Sequence, residues 1–242
     1  MISIYKKQSN IFRKNLGIKD IVSIRFSNSK PQDCERYKDT ACTALARGLR
    51  GKTGTYLDRQ EQLCPGGNYF LNKSDCSLEE LRNTYVKEEK VFENNSVCDT
   101  FIKNLPEYPN TAKKRYITIT PFAKEGECPE VAIFLANPAQ AGRILGLATY
   151  DGFSSPIIMP AISTCASIYA PLETHNLHIN FIDYYDRYYQ GLQGKKSIWK
   201  ESELIISMSY EIFERIIRNI PLSPHGIYKP KIKPKKFSKI DI

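Results

Sequence analysis

The sequence predicts a mixed fold, α/β or α+β, in which helices pack on the sheet of a single domain. Three observations predict it. Segments with the two-residue period of strands interleave with segments of helical period. Residues 131–135 and 156–162 are nearly continuous apolar runs, the pattern of strands covered on both faces. No stretch between residues 20 and 223 has the composition of a linker.

Residues 1–19 read as a basic, peripheral arm. Residues 21–26 alternate apolar and polar and read as a strand. Residues 35–49 place Ala41, Leu45 and Leu49 on one helical face, and Gly48 with Gly51 ends that helix. Residues 53–57 make a short strand. Cys64-Pro65-Gly66-Gly67 reads as an irregular turn, since proline removes a donor and the glycines leave backbone amides open to a ligand. The spacing of Ser77 and Glu80 is that of a capping box, opening a helix to about residue 90. A further helix is expected over 98–105. Residues 116–120 alternate as a strand. After the run at 131–135, Asn137-Pro138 stops the strand and starts a helix with Ala141, Ile144, Leu145 and Ala148 as its buried stripe. Strands are expected at 156–162, 178–182 and 204–208, then an amphipathic helix at 211–219. Residues 224–242, rich in lysine and proline, have nothing to bury and read as a tail.

The chain has 242 residues, 41% of them apolar, enough for a sizeable core. Its net charge of +9 is uneven: residues 1–19 carry +5, residues 224–242 carry +5, and the body is close to neutral. No zinc-finger, recognition-helix or aromatic-plus-basic pattern accompanies that charge, so nucleic acid is not the expected partner. No apolar run approaches the length of a membrane span, and the start lacks a secretion-signal pattern. The expected location is the cytoplasm. Walker A, Gly-x-Gly-x-x-Gly and Gly-x-Ser-x-Gly motifs are all missing.

The seven cysteines are Cys34, Cys42, Cys64, Cys76, Cys98, Cys128 and Cys165. An odd number without a secretion signal argues against a disulfide framework. Buried thiols, a metal site or a reactive thiol remain. No two cysteines have the spacing of a zinc ribbon or compact ferredoxin.

Four stretches together carry a resemblance: ACTALARGLRGKTGTYLDRQEQLCPGGNYFLN, VAIFLANPAQAGRIL, AISTCASIYAPL and ELIISMSYEIFERII. In this order they resemble the family called domain of unknown function 169, over roughly residues 20–222. The resemblance implies that Cys42, Cys64 and Cys165 match family cysteine positions. The other four cysteines do not, and Cys128 stands where the family pattern is acidic.

The expectation that follows is a site on Cys42, Cys64 and Cys165 holding an iron–sulfur cluster, of the 4Fe–4S kind, for redox or cluster-dependent chemistry with a small molecule or a redox partner protein. Gly66, Gly67, Asn137, Gln140 and Arg143 are the candidate ligand-binding residues around it. Asn137 has a competing role as a helix cap. Asp183, Asp186 and Arg187, in the aromatic run DYYDRYYQ, read as salt-bridged surface. Two other readings compete: a binding module whose cysteines are merely buried, and a thiol enzyme pairing Cys165 with His175.

Overall fold

An eight-stranded mixed sheet, with strand order β2-β3-β4-β1-β5-β8-β7-β6, carries an apolar layer on each face in the computed structural model. The structure describes residues 4–38, 40–51, 54–61, 63–71, 77–122, 128–152, 156–160, 162–189 and 198–227. In chain order the elements are α1 (Ile4–Leu16), β1 (Ile21–Ser27), β2 (Cys34–Arg36), α2 (Ala41–Arg50), β3 (Gly54–Asp58), α3 (Pro65–Phe70), α4 (Leu78–Arg82), α5 (Asn95–Lys103), β4 (Tyr116–Pro121), β5 (Val131–Ala136), α6 (Pro138–Ala148), β6 (Ile157–Ile158), α7 (Ala170–Thr174), β7 (His178–Asn180), β8 (Leu204–Ser209) and α8 (Tyr210–Asn219). Two π-helical segments, Asn83–Glu88 and Tyr185–Tyr189, and a 3-10 helix, Thr164–Ile168, complete the frame of the site.

The mixed fold expected from the sequence is the one observed. β1 and β5 pair antiparallel at the centre, and the parallel pairs β2/β3 and β6/β7 lie at the two ends. Strand alternation divides the side chains. Val131, Ile133 and Leu135 of β5 join the layer that contains Cys42 and Cys165. Ala132, Phe134 and Ala136 face the opposite layer, with α1, α6 and α8. The sheet therefore separates α6 from the cysteines.

Four expectations need correction. Residues 1–19 are not a peripheral arm: α1 buries Phe12 and Leu16, and Phe12 packs edge-on against Phe134 at 4.8 Å and at a tilt against Phe213 at 5.1 Å. A stripe of Gln8, Ser9, Phe12 and Leu16 is helical in spacing but too polar to stand out among the lysines. The helix expected over 35–49 begins only at Ala41, because Thr40 caps it by accepting the Thr43 amide, while 34–36 pairs with β3. The turn at 64–67 is the first turn of α3, with Pro65 where a missing N–H costs nothing. The strand at 156–162 shrinks to Ile157–Ile158, since Ile162 adopts a left-handed conformation at φ 60°. Of the expected Lys/Pro tail, 228–242 lies outside the described residues.

α2 lies against β4 at Gly48, where an added Cβ would collide with the Ile119 side chain in mid-sheet. Gly48→Ala is expected to destabilise by about 1–3 kcal/mol, overpacking outweighing the roughly 1 kcal/mol of helix propensity gained. A urea midpoint at or above wild type would show that the interface yields.

Candidate functional site

Three cysteines distant in sequence converge on the α2 face of the sheet. Cys42 is the second residue of α2, Cys64 is the N-cap of α3, and Cys165 lies in the 3-10 helix. The Sγ atoms of Cys42 and Cys165 stand 3.4 Å apart, and Cys64 also interacts with Cys165. Cys42 and Cys165 are buried and Cys64 is half-buried.

Local structure holds each sulfur in place. Asn68 clamps both the N–H and the C=O of Leu63, which sets the chain entering Cys64. The Gly67 amide donates to Cys64 Sγ at 3.2 Å, and the Ala41 amide, at the start of α2, also donates to it. Gly66 is needed for a different reason: a side chain there would meet the Tyr85 hydroxyl, which comes from the π-helical segment Asn83–Glu88. Gly66 and Gly67 thus border the sulfurs.

The structure adds a residue that the sequence reading assigned to the surface. Asp186, in the second π-helical segment, is 4% exposed, and its Oδ1 lies 3.7 Å from Cys42 Sγ. Thr164 and Cys42 are the partners of its carboxylate, and no further donor among the described residues reaches Oδ2. Arg187 is also buried; it donates to the backbone carbonyls of Phe181, Lys200 and Glu203. Asp183 caps the segment by accepting the amides of Tyr185 and Asp186, and it also accepts the Ile162 amide from the Cys165 loop. Two β-branched residues with positive φ, Ile162 at 60° and Ile182 at 53°, precede Cys165 and Asp186 on their respective loops. Such conformations are costly for β-branched residues, and they and π-segments concentrate at functional sites. The sequence signal that could have found Asp186 is faint: one acid inside an aromatic run.

The electrostatics are one-sided. Cys42 is pushed up to about 12: its hydrogen bond with Cys165 lowers it, but burial and the Asp186 charge outweigh that. Cys165 is held well above the ordinary thiol range by its bond with Cys42 and by burial. Cys64 is raised by Cys165 and burial, against the pull of the Gly67 and Ala41 amides. Burial, then the neighbouring Asp183, raises Asp186 to about 6, with Thr164 and Cys42 holding it down in part. Among the described residues no lysine or arginine forms an ion pair with Asp186. A cavity of about 460 Å³, lined by Glu89, Phe92, Ile162, Asp183 and Tyr185 among others, borders the loops that carry Cys165 and Asp186.

The remaining candidates lie elsewhere. Asn137 and Gln140 cap α6 reciprocally, and Gln140 also donates to the Leu16 carbonyl. Arg143 donates to the carbonyls of Asn15 and His225. Gln140 and Arg143 tie α1 and the segment after α8 to α6, across the sheet from the cysteines. Cys128 is exposed and interacts with Tyr5 of α1, on that same far face. Cys98 is on the buried face of α5, Cys34 is on the edge strand β2, and Cys76 lies outside the described residues. His175 ends α7 in a left-handed conformation, and no hydrogen bond to Cys165 occurs among the described residues.

The model of one family, DUF169, described as an uncharacterised ArCR family, matches residues 14–219. The chain belongs to the DUF169 family. The match begins within the last turn of α1, so the family unit takes in the end of the helix that the sequence reading set apart. No curated protein and no solved structure matches the chain. No helix among the described residues is long and apolar enough to cross a membrane. Nor is any group of three or more His, Cys, Asp or Glu side chains among them spread so as to hold a metal ion as it stands. Cys42 and Cys165 are instead in direct sulfur–sulfur contact.

Proposed function

We propose that this DUF169 protein holds an iron–sulfur cluster on Cys42, Cys64 and Cys165 and uses it in redox or cluster-dependent chemistry with a small molecule or redox partner. The observation that carries the proposal is the convergence of three thiols and an unpaired carboxylate with no basic side chain to balance them. Soft thiolates suit iron and its sulfides. Buried thiols without a cation stay protonated; a positively charged centre is what makes three thiolates tolerable together. The fit requires movement, because sulfurs on one tetrahedral ion stand about 3.8 Å apart and those on separate irons stand further.

When bound, such a cluster supplies an electron store and, at an iron free of cysteine, a Lewis acid. The chain's own residues do the rest. The Gly67 and Ala41 amides stabilise charge on the Cys64 sulfur. Tyr85 and Tyr169, both buried beside the thiols, keep water out. The cavity beside Ile162 and Tyr185 is where a small molecule approaches. Nothing in this arrangement calls on nucleic acid, and the chain's expected place is the cytoplasm.

A second reading has one specific observation in its favour. The 3.4 Å contact of Cys42 with Cys165 suits a redox dithiol that reduces a partner disulfide: the Cys42–Cys165 S–S bond forms as the partner's S–S bond breaks and takes up the two protons and two electrons. One experiment separates the readings: iron and acid-labile sulfide assayed on protein purified without oxygen, for wild type and Cys64→Ser. The cluster predicts stoichiometric iron and sulfide with a broad band at about 400 nm, falling at least about tenfold in the variant. Colourless protein after reconstitution, with Cys42 and Cys165 cross-linking on oxidation, refutes the cluster and establishes the dithiol.

A further inference from the structure

We infer that the cavity where the end of one π-helical segment meets the start of the other binds an organic ammonium ion with an apolar body. The Glu89 carboxylate takes the charge, and Phe92, Tyr184 and Tyr185 line the rest. The inference rests on the reading above only for the place where a small molecule approaches, and it needs no iron. The cavity, about 460 Å³, is of the size that holds a small organic molecule. Its wall is largely apolar, with Ile162 beside the rings, and its charge is negative: Glu88, Glu89 and Asp183 stand against Lys90 alone. Such a wall matches a cation carried on an apolar body, and ring faces attract that cation further. A bare metal ion is a poorer fit, since no group of three or more His, Cys, Asp or Glu among the described residues is spread to hold one.

Of the three carboxylates, Glu89 is the one left for a ligand. Asp183 accepts the amides of Ile162, Tyr185 and Asp186, and Glu88 accepts from Asn83 Nδ2. The Glu89 carboxylate has Tyr185 as a partner, and no further donor among the described residues reaches its buried Oε2. No ion pair among the described residues holds it. Burial raises Glu89 to about 7, the Tyr185 bond opposing it and the charges of Asp186, Glu88 and Asp183 adding to it. A cation beside the carboxylate relieves that cost. The backbone fixes the walls. Lys90 is left-handed at φ 54°, and the Val91 and Phe92 amides both return to the Tyr85 carbonyl. Phe92 is held there edge-on to Tyr85 at 6.0 Å and at a tilt to Phe101 at 4.9 Å. Ile162 and Ile182, also left-handed, turn the facing loops.

The test is calorimetric titration of the full chain at about pH 8, where the Glu89 carboxylate is ionised. The probes are phenethylamine, phenethyl alcohol with the same body and no charge, and phenylacetate with the opposite charge. Wild type should bind the amine at least about tenfold more tightly than the alcohol, and phenylacetate more weakly than either. Glu89→Gln should weaken the amine about tenfold and leave the alcohol unchanged. A Glu89→Gln protein that keeps the full preference for the amine overturns the inference. So does a wild type that binds the amine no better than the alcohol, or not at all. Should Glu89→Gln not fold, Tyr184→Ala decides, because a ring 79% exposed is removed without disturbing the core. The amine should then weaken about threefold more than the alcohol, and equal losses overturn the inference. Iron uptake is assayed on the same protein. Amine selectivity in a protein that takes up no iron supports this inference and refutes the cluster; an iron-loaded protein without selectivity does the reverse.

Discussion

Arg187→Ala is expected to destabilise the protein by about 3–5 kcal/mol, the largest effect of any single substitution considered. The Arg187 guanidinium donates to the carbonyls of Phe181, Lys200 and Glu203, which belong to the loop after β7 and the turn before β8. Removing it leaves the Phe181 and Glu203 carbonyls without this donor in a place where Arg187 itself is only 7% exposed, while Lys200 keeps the Glu203 amide. Each unsatisfied buried group costs roughly 1–3 kcal/mol. Arg187→Lys should restore little, because a point ammonium cannot reach three carbonyls spread around a planar fork. Urea unfolding checks this: the midpoint should drop with the slope unchanged. A loss below about 1 kcal/mol would mean that water replaces the guanidinium and that the Asp186 segment is not latched by its neighbour.

The second large effect is a pH dependence centred on His178. The ring is fully buried, 2.5 Å from Thr174 Oγ1 and 2.8 Å from Met159 Sδ, and burial pushes it down to about 4. An unfolded histidine takes its proton near pH 6.5. Between the two values the unfolded chain binds a proton that the folded chain refuses. Stability from this residue is therefore present above pH 6.5 and is lost as pH falls towards 4, by up to about 3 kcal/mol. Asp186, raised to about 6, and Glu89, raised to about 7, work in the opposite direction, favouring the folded state as pH falls. The wild-type curve mixes these, so the measurement is the difference between wild type and His178→Gln across pH 4–7. That difference should change by about 3 kcal/mol. A flat difference would mean that the folded protein accepts the His178 proton, with the loop at Met159 opening to water.

Much of the frame was legible in the chain. The continuous run 131–135 became β5, buried on both faces, and Asn137-Pro138 became the cap and first turn of α6. Such signals are local: a strand's period or a proline's missing donor acts within a few residues and survives whatever packs on it. The cysteine trio was legible as a set through the family resemblance, and its closeness became visible only when α2, α3 and the 3-10 helix were packed on one face.

What tertiary structure alone decided is which side of the sheet each polar residue serves. Asn137, Gln140 and Arg143 have the side chains of a ligand site, yet α6 packs on the far face, where Asn137 caps the helix and Gln140 and Arg143 bind α1 and the chain after α8. Asp186 has the look of a surface acid, yet Asp183 and Arg187 turn its segment inward to the sulfurs. Local sequence specifies a helix, a strand or a cap. Face and burial are set by the packing of elements far apart in the chain, through contacts such as Phe12 on Phe134, and no window of neighbouring residues contains that information.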